Sequence, residues 1–172
     1  FDWAMQSLEP FYDKEFVFLT QAEHSATEFI KERCRYLGIS NYEEIKLNEH
    51  TDGQASTAMF GNEAIDQSEA VGIFNIDTYI EKGAISPQRI SGDGFIPVFQ
   101  APGERWSFVE TDSQGVVRRL SEKDKISDLA TAGFYYFDKW EYFVDAYENT
   151  ASETKSKYGK TYVAPLYNHM IE

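Results

Sequence analysis

The sequence predicts an α/β fold, a Rossmann-like doubly wound mixed sheet, and three observations carry that reading. Strand-like apolar runs alternate with helical stripes through the first half of the chain, which is the rhythm of βαβ units. Residues 71–80, VGIFNIDTYI, are β-branched and aromatic and almost free of charge until the run stops at Asn75, Ile76 and Asp77. A strand covered on both faces of a parallel sheet has that character. Further on, two strand-like runs flank Asp112, Ser113, Gln114 and Gly115, the pattern of an antiparallel hairpin.

Taken in order, residues 1–8, FDWAMQSL, place apolar side chains at 1, 4, 5 and 8, one face of a helix that Pro10 ends. No cap or turn signal precedes that helix, so the chain is expected to begin inside an element whose start lies upstream. Residues 15–20, EFVFLT, read as a buried strand. Residues 24–37 are read as a crossover helix with a stripe through Ala26, Phe29, Ile30, Arg33 or Cys34, and Leu37, and Gly38 stops it. A short strand follows at residues 42–47. TDGQ, residues 51–54, has the T-x-x-Q form of a capping box that opens a helix running to about residue 65.

Past residue 80, Gly83, Gly92 and Gly94 mark loops, and residues 95–100, FIPVFQ, read as a strand weakened by Pro97. The hairpin strands are residues 106–111 and 116–120. After the polar stretch SEKDKISD, residues 129–137, LATAGFYYF, return as one strand containing Gly133. Asp138 with Glu141 three residues on suits a capped helix to about residue 150, and residues 158–171 end in a helix with Pro165 early in it. No repeat, low-complexity tract or linker divides the chain, so residues 1–172 are read as a single domain, expected to be cut at both ends.

A chain of 172 residues buries about 70% of the surface its unfolded form exposes, which is enough for a core without a staple. With 42% hydrophobic and 16% aromatic residues, disorder is excluded. The net charge of −13, from 16 basic against 29 acidic side chains, repels a phosphate backbone or an anionic membrane. Neither nucleic acid nor a membrane is therefore an expected partner. The single cysteine, Cys34, allows no intrachain disulfide and suits a reducing cytoplasm, where it packs as a small apolar residue. No apolar run approaches the roughly 20 residues of a membrane-spanning helix, and no signal-peptide pattern is present.

The two common phosphate loops, G-x-x-x-x-G-K-[ST] and G-x-G-x-x-G, do not occur, nor does H-E-x-x-H; His24, His50 and His169 have no ligand spacing. Three other places carry chemistry. Gly53 and Gln54 open a helix, where unpaired N–H groups and a missing side chain let a ligand approach the backbone, although the capping box explains Gln54 equally well. Asp77 stands at a strand exit, the side of an open α/β sheet on which ligands bind, and a turn cap explains it as well. Glu122 and Lys123 put a hydroxyl acceptor beside a point cation suited to phosphate; a solvated turn is the alternative.

As an ordered set, TDGQAST at 51–57, FNIDTYI at 74–80, WSFVETDSQGVVRRLSEKDKISDLATAGFYYF at 106–137 and YVAPLYN at 162–168 resemble the sugar-phosphate nucleotidyltransferases. The likeness is to the glucose-1-phosphate thymidylyltransferase type and, more closely, to capsular-polysaccharide members, and it spans nearly the whole chain. It implies a nucleotide-diphospho-sugar transferase fold, GT-A-like. It also implies the reaction: a sugar 1-phosphate oxygen attacks the α-phosphorus of a nucleoside triphosphate in line, releases pyrophosphate, and yields a nucleotide sugar for surface polysaccharide. Catalysis of that kind is positioning and charge neutralisation, with no covalent protein intermediate.

By that resemblance Asp77 is the Mg²⁺ ligand, and Gly53, Gln54 and Asn48 recognise the base. Asn75, Glu122, Lys123, Gly133 and Tyr162 line the sugar-phosphate side, with Lys123 on the phosphate and Glu122 on the sugar hydroxyls. Mg²⁺ completes its octahedron with phosphates and water, so one carboxylate suffices as a first contact. By the resemblance, the family's Gly-rich triphosphate loop lies ahead of the opening helix and its second metal-binding aspartate beyond the end, so the 172 residues alone are expected to fold imperfectly or be inactive unless the true protein has those ends. A GT-A glycosyltransferase is the alternative enzyme, disfavoured because Asn75-Ile76-Asp77 is one carboxylate short of a D-x-D pair. A non-catalytic homologue that binds nucleotide or sugar phosphate is the third reading. No pattern sets the base, the sugar or the oligomeric state, and a homo-oligomer stays open.

Overall fold

An amphipathic turn of helix and an extended apolar run open the fold, which the computed structural model describes over residues 1–171. Helix α1 (Asp2–Ser7) leads through a 3₁₀ turn at Pro10 into strand β1 (Phe16–Gln21). Helix α2 (Thr27–Leu37) then crosses over to β2 (Tyr42–Leu47), which pairs with β1 in parallel from Phe16 opposite Tyr42 to Gln21 opposite Leu47. Gly38 ends α2 at φ +79°, a conformation a side chain would resist. The buried stripe of α2, Ile30 and Cys34, packs on Met5 and Ile39. This is the expected βαβ unit, except that β1 is half-buried along its whole length.

The central run departs from expectation. Strand β3 (Val71–Phe74) pairs antiparallel with β9 (Phe134–Phe137) and, among the described residues, with no parallel neighbour. Gly72 is why β3 can lie under an aromatic neighbour: a side-chain carbon there would sit 2.8 Å from the Phe134 ring. The run ends at Asn75 because the Thr78 N–H turns back to donate to the Asn75 carbonyl at 3.1 Å.

Two expected strands are each broken in two. Residues 95–100 divide into β4 (Gly94–Phe95) and β5 (Val98–Gln100), and residues 129–137 into β8 (Leu129–Thr131) and β9. Pro97, with no N–H to give a ladder, and Gly133, at φ +77°, mark the two breaks, and the Ala132 N–H donates to the Pro97 carbonyl at 2.9 Å between them. Both chains change sheet at the same corner. On one side is a three-stranded sheet, β3-β9-β4. On the other is a four-stranded one, β5-β8-β6-β7, containing the predicted hairpin of β6 (Ser107–Thr111) and β7 (Val117–Glu122).

The helices also differ from their predicted caps and lengths. Helix α3 (Gln54–Ala58) is a single turn extended by a 3₁₀ turn to Gly61, and no side chain caps it, so the capping box does not form. Helix α4 (Trp140–Tyr158) runs eight residues beyond the expected end, and Asp138 does not cap it. Its first N–H groups donate instead to the carbonyls of Glu69 and Gln67 at 2.7 and 2.9 Å. Residues 159–163 are not helical; a 3₁₀ turn through Pro165 precedes α5 (Tyr167–Ile171). The main core lies between these helices and the sheets, where the Phe137 ring stacks on Tyr167 at 4.5 Å and Trp140 on Phe143 at 4.6 Å. The architecture is a mixed α/β fold, as predicted, with its strands divided among three sheets.

Candidate active site

Five sequence-distant segments meet in one chain of contacts. The first is the loop that opens α3. Gly53 lies at φ +147°, and a side-chain carbon on it would fall 2.5 Å from the Thr161 carbonyl oxygen, so only glycine lets the two backbones touch. Thr161 then clamps the loop. Its N–H donates to the Asp52 carbonyl at 3.0 Å, its carbonyl accepts from Ala55 N–H at 3.0 Å, and its Oγ1 accepts from Ser56 N–H at 3.2 Å. The hydroxyls of Ser56 and Thr161 share a hydrogen bond of 2.6 Å, and Tyr147 reaches the same Ser56 hydroxyl at 3.1 Å.

Freed from a capping role, the Gln54 amide donates to the Asn75 side-chain oxygen. This bond joins the α3 loop to the turn after β3. The Asn75 N–H in turn donates to the Gly133 carbonyl at 3.2 Å. A side chain on Gly133 would come within 2.9 Å of Thr78 Oγ1 and 3.3 Å of Asn75 Nδ2, so the strand corner and the turn are in direct contact. Asp77 projects from that same turn, exposed, and no hydrogen bond or ion pair among the described residues engages it. The turn-cap alternative for Asp77 thus has no bond behind it.

The third group stands at the end of β7. Glu122 is 5% exposed and its carboxylate accepts a hydrogen bond from the Ser107 hydroxyl across the hairpin. It is a strand residue, and the solvated-turn alternative fails for it. Burial pushes the Glu122 carboxyl up from the ordinary glutamate range, with the Ser107 hydrogen bond and the Lys123 charge opposing. The next residue, Lys123, takes a left-handed backbone at φ +55°, rare for a residue with a side chain, and its N–H donates to the Trp106 carbonyl at 2.9 Å. The turn points its ammonium at Tyr162, donating to the hydroxyl at 2.9 Å with Nζ 5.1 Å from the ring centroid. That hydrogen bond raises the Lys123 pKa and keeps the side chain cationic.

The geometry therefore gathers most of the predicted residues. Gln54, Asn75 and Gly133 form one continuous set of contacts, and Lys123 and Tyr162 another, while Gly53 joins the two through Thr161, the neighbour of Tyr162 in sequence. Glu122 adjoins Lys123, and Asp77 shares the Asn75 turn. Asn48 stands apart: it is exposed just past β2, and no hydrogen bond among the described residues ties it to the others. Thr161 and Ser107 were not among the sequence candidates. The only signal for Thr161 was its place beside Tyr162, and Ser107 lay within an ordinary strand pattern.

No group of three or more His, Cys, Asp or Glu side chains that could hold a metal occurs among the described residues. A divalent ion here would take Asp77 as one ligand and the rest from phosphate oxygens and water, a donor set that Mg²⁺ accepts. Chemically, the arrangement offers a half-buried glycine backbone at Gly53, a fixed cation, a buried hydroxyl acceptor and a free carboxylate. Together these suit a polyphosphate lying beside a hydroxylated ring.

No protein-family model and no curated protein matches the chain. Solved structures do. A nucleoside-diphosphate-sugar pyrophosphorylase from Vibrio cholerae RC9 superposes with a TM-score of 0.87 at 29% identity, over 99% of this chain and 74% of that one. A candidate glucose-1-phosphate thymidylyltransferase from Bacillus anthracis, in complex with a sucrose, gives 0.75 at 12% identity over 97% of this chain and 69% of that one. A UDP-glucose pyrophosphorylase complexed with UDP-glucose gives 0.66 at 11% identity over 98% and 72%. The last two bear on the fold alone. The chain's structural neighbours are sugar nucleotidyltransferases, and its α/β fold is theirs.

Proposed function

We propose that the protein transfers a nucleotidyl group from a nucleoside triphosphate to a sugar 1-phosphate, releasing pyrophosphate and forming a nucleotide sugar. The observation that supports this reading is the chain of contacts that links Gly53, Gln54, Asn75, Gly133, Lys123 and Tyr162 within a fold shared with the Vibrio cholerae pyrophosphorylase. In this reading the Gly53–Gln54 backbone faces the base, Lys123 holds the sugar phosphate, and Glu122, Gly133 and Tyr162 bound the sugar. Asn75 ties the two halves, and Asn48 is a peripheral base contact.

Asp77 would hold Mg²⁺, which supplies neutralisation of the triphosphate charge. Lys123 offsets the charge of the attacking phosphate, and the ring hydroxyls are oriented by Glu122. The fitting setting is cytoplasmic synthesis of precursors for surface or capsular polysaccharide, with the enzyme as a homo-oligomer or a monomer. Among the described residues, no helix is long and apolar enough to cross a membrane.

The test is Mg²⁺-dependent pyrophosphate release by the full gene product over a panel of nucleotides and sugar 1-phosphates. Asp77→Ala should lower turnover by about a hundredfold or more, the scale of losing one preorganised electrostatic contact. Absence of release across the panel, or an undiminished Asp77→Ala variant, refutes the reading.

A further inference from the structure

Thr161 contacts one of the two places where substrate is expected, the α3 loop, and adjoins the other through Tyr162. On its own side it fixes the α3 loop with three backbone-directed hydrogen bonds and the van der Waals fit of Gly53. One residue on, Tyr162 accepts the Lys123 ammonium. Thr161 is 3% exposed, and Val163, which follows Tyr162, is fully buried, so the strut is anchored in the core at both ends. A short peptide held this way transmits displacement because neither neighbour can relax independently.

We propose that Thr161 and Tyr162 act as one rigid strut between the Gly53–Gln54 loop and Lys123, making Thr161 a positioning residue for the lysine it does not touch. The inference rests on the reading above for what the two ends bind, but the coupling itself is a property of the chain. Seating the loop on Thr161 sets where the Tyr162 hydroxyl stands. That hydroxyl in turn holds the Lys123 ammonium on its left-handed turn, aimed before a phosphate arrives. Loosening the loop at Ser56 or Thr161 therefore frees Lys123, about 40 residues earlier in sequence than the strut.

Amine footprinting of the full chain with an acetylating N-hydroxysuccinimide ester, read by peptide mass spectrometry, tests this without any substrate. The exposed Lys31 serves as the internal standard. Tyr162→Phe should raise the Lys123 labelling rate about fivefold, the factor that one net hydrogen bond represents. Thr161→Val should raise it similarly, Thr161→Ser should restore the wild-type rate, and the double variant should label no faster than Tyr162→Phe. Should Thr161→Val fail to fold, Ser56→Ala loosens the same seat from the loop side and must raise Lys123 labelling.

A wild-type Lys123 rate in the folded Thr161→Val or Ser56→Ala variant overturns the proposal, as does multiplication of the two effects in the double variant. In pyrophosphate release, Thr161→Val should raise KM for the sugar phosphate as well as for the nucleotide, with kcat changed less. A wild-type protein that releases no pyrophosphate counts against the proposed function, whereas the labelling rates still decide whether the strut couples the loop to Lys123.

Discussion

Glu122 carries two opposed demands in one side chain. A hydroxyl acceptor must be ionised to work best, yet its burial at the end of β7 raises its pKa. A carboxyl whose folded pKa lies above its unfolded value contributes stability below the ordinary glutamate range and loses it as pH rises through the elevated value. Glu122→Gln, which keeps an acceptor for Ser107, should therefore gain thermal stability relative to wild type as pH rises above the ordinary glutamate range. Thermal melts of both proteins across that rise check it, and a constant difference in Tm would contradict the burial argument. Gly53 makes a sharper case. Gly53→Ala drives a methyl into the Thr161 backbone and should cost about 1–3 kcal/mol in urea unfolding, with a larger loss in nucleotide affinity. Unchanged stability would mean that the loop and Thr161 are not in contact.

At the scale of elements, the corner where Pro97 faces Gly133 decides the architecture. Gly133→Ala adds a side chain at φ +77° against Thr78, so it should destabilise by about 1–3 kcal/mol and weaken sugar-phosphate binding together, through the turn that carries Asn75. Calorimetric melting with a binding titration measures both. Strand and helix existence was legible because β1, α2, β2 and the hairpin obey their periodicities. Strand pairing was not, since VGIF is equally compatible with a parallel or an antiparallel partner and β9, its partner, lies about sixty residues on. Pro97 and Gly133 each announced weakness in a strand, and only the fold shows that the two weaknesses coincide. The caps failed for a related reason: T-x-x-Q and D-x-x-E are local patterns, and tertiary partners, Asn75 for Gln54 and the 67–69 carbonyls for α4, outcompeted them.

For the whole molecule, charge sets the terms on which anionic substrates arrive. With −13 overall, the protein repels a nucleoside triphosphate at long range, and only Lys123 among the site residues opposes that field. Raising ionic strength from about 20 to about 200 mM at saturating Mg²⁺ should therefore increase kcat/KM for the nucleotide by about twofold or more, because screening removes repulsion first. A fall would place the local cation in control. The site residues themselves were legible mainly through resemblance, as an ordered set spread from 51 to 162; their mutual contacts depend on the five segments meeting, which no window of sequence contains. The same convergence gives the protein its own optical probe. Trp106, whose carbonyl holds the Lys123 amide and whose indole donates to Pro102 at 3.1 Å, is half-buried, whereas Trp140 is sealed in the core and Trp3 lies open at 72% exposure. Acrylamide quenches the open indole and the sealed one emits a constant background, so the emission that shifts when an anion reaches Lys123 is that of Trp106, and occupancy can be followed by fluorescence with no label attached.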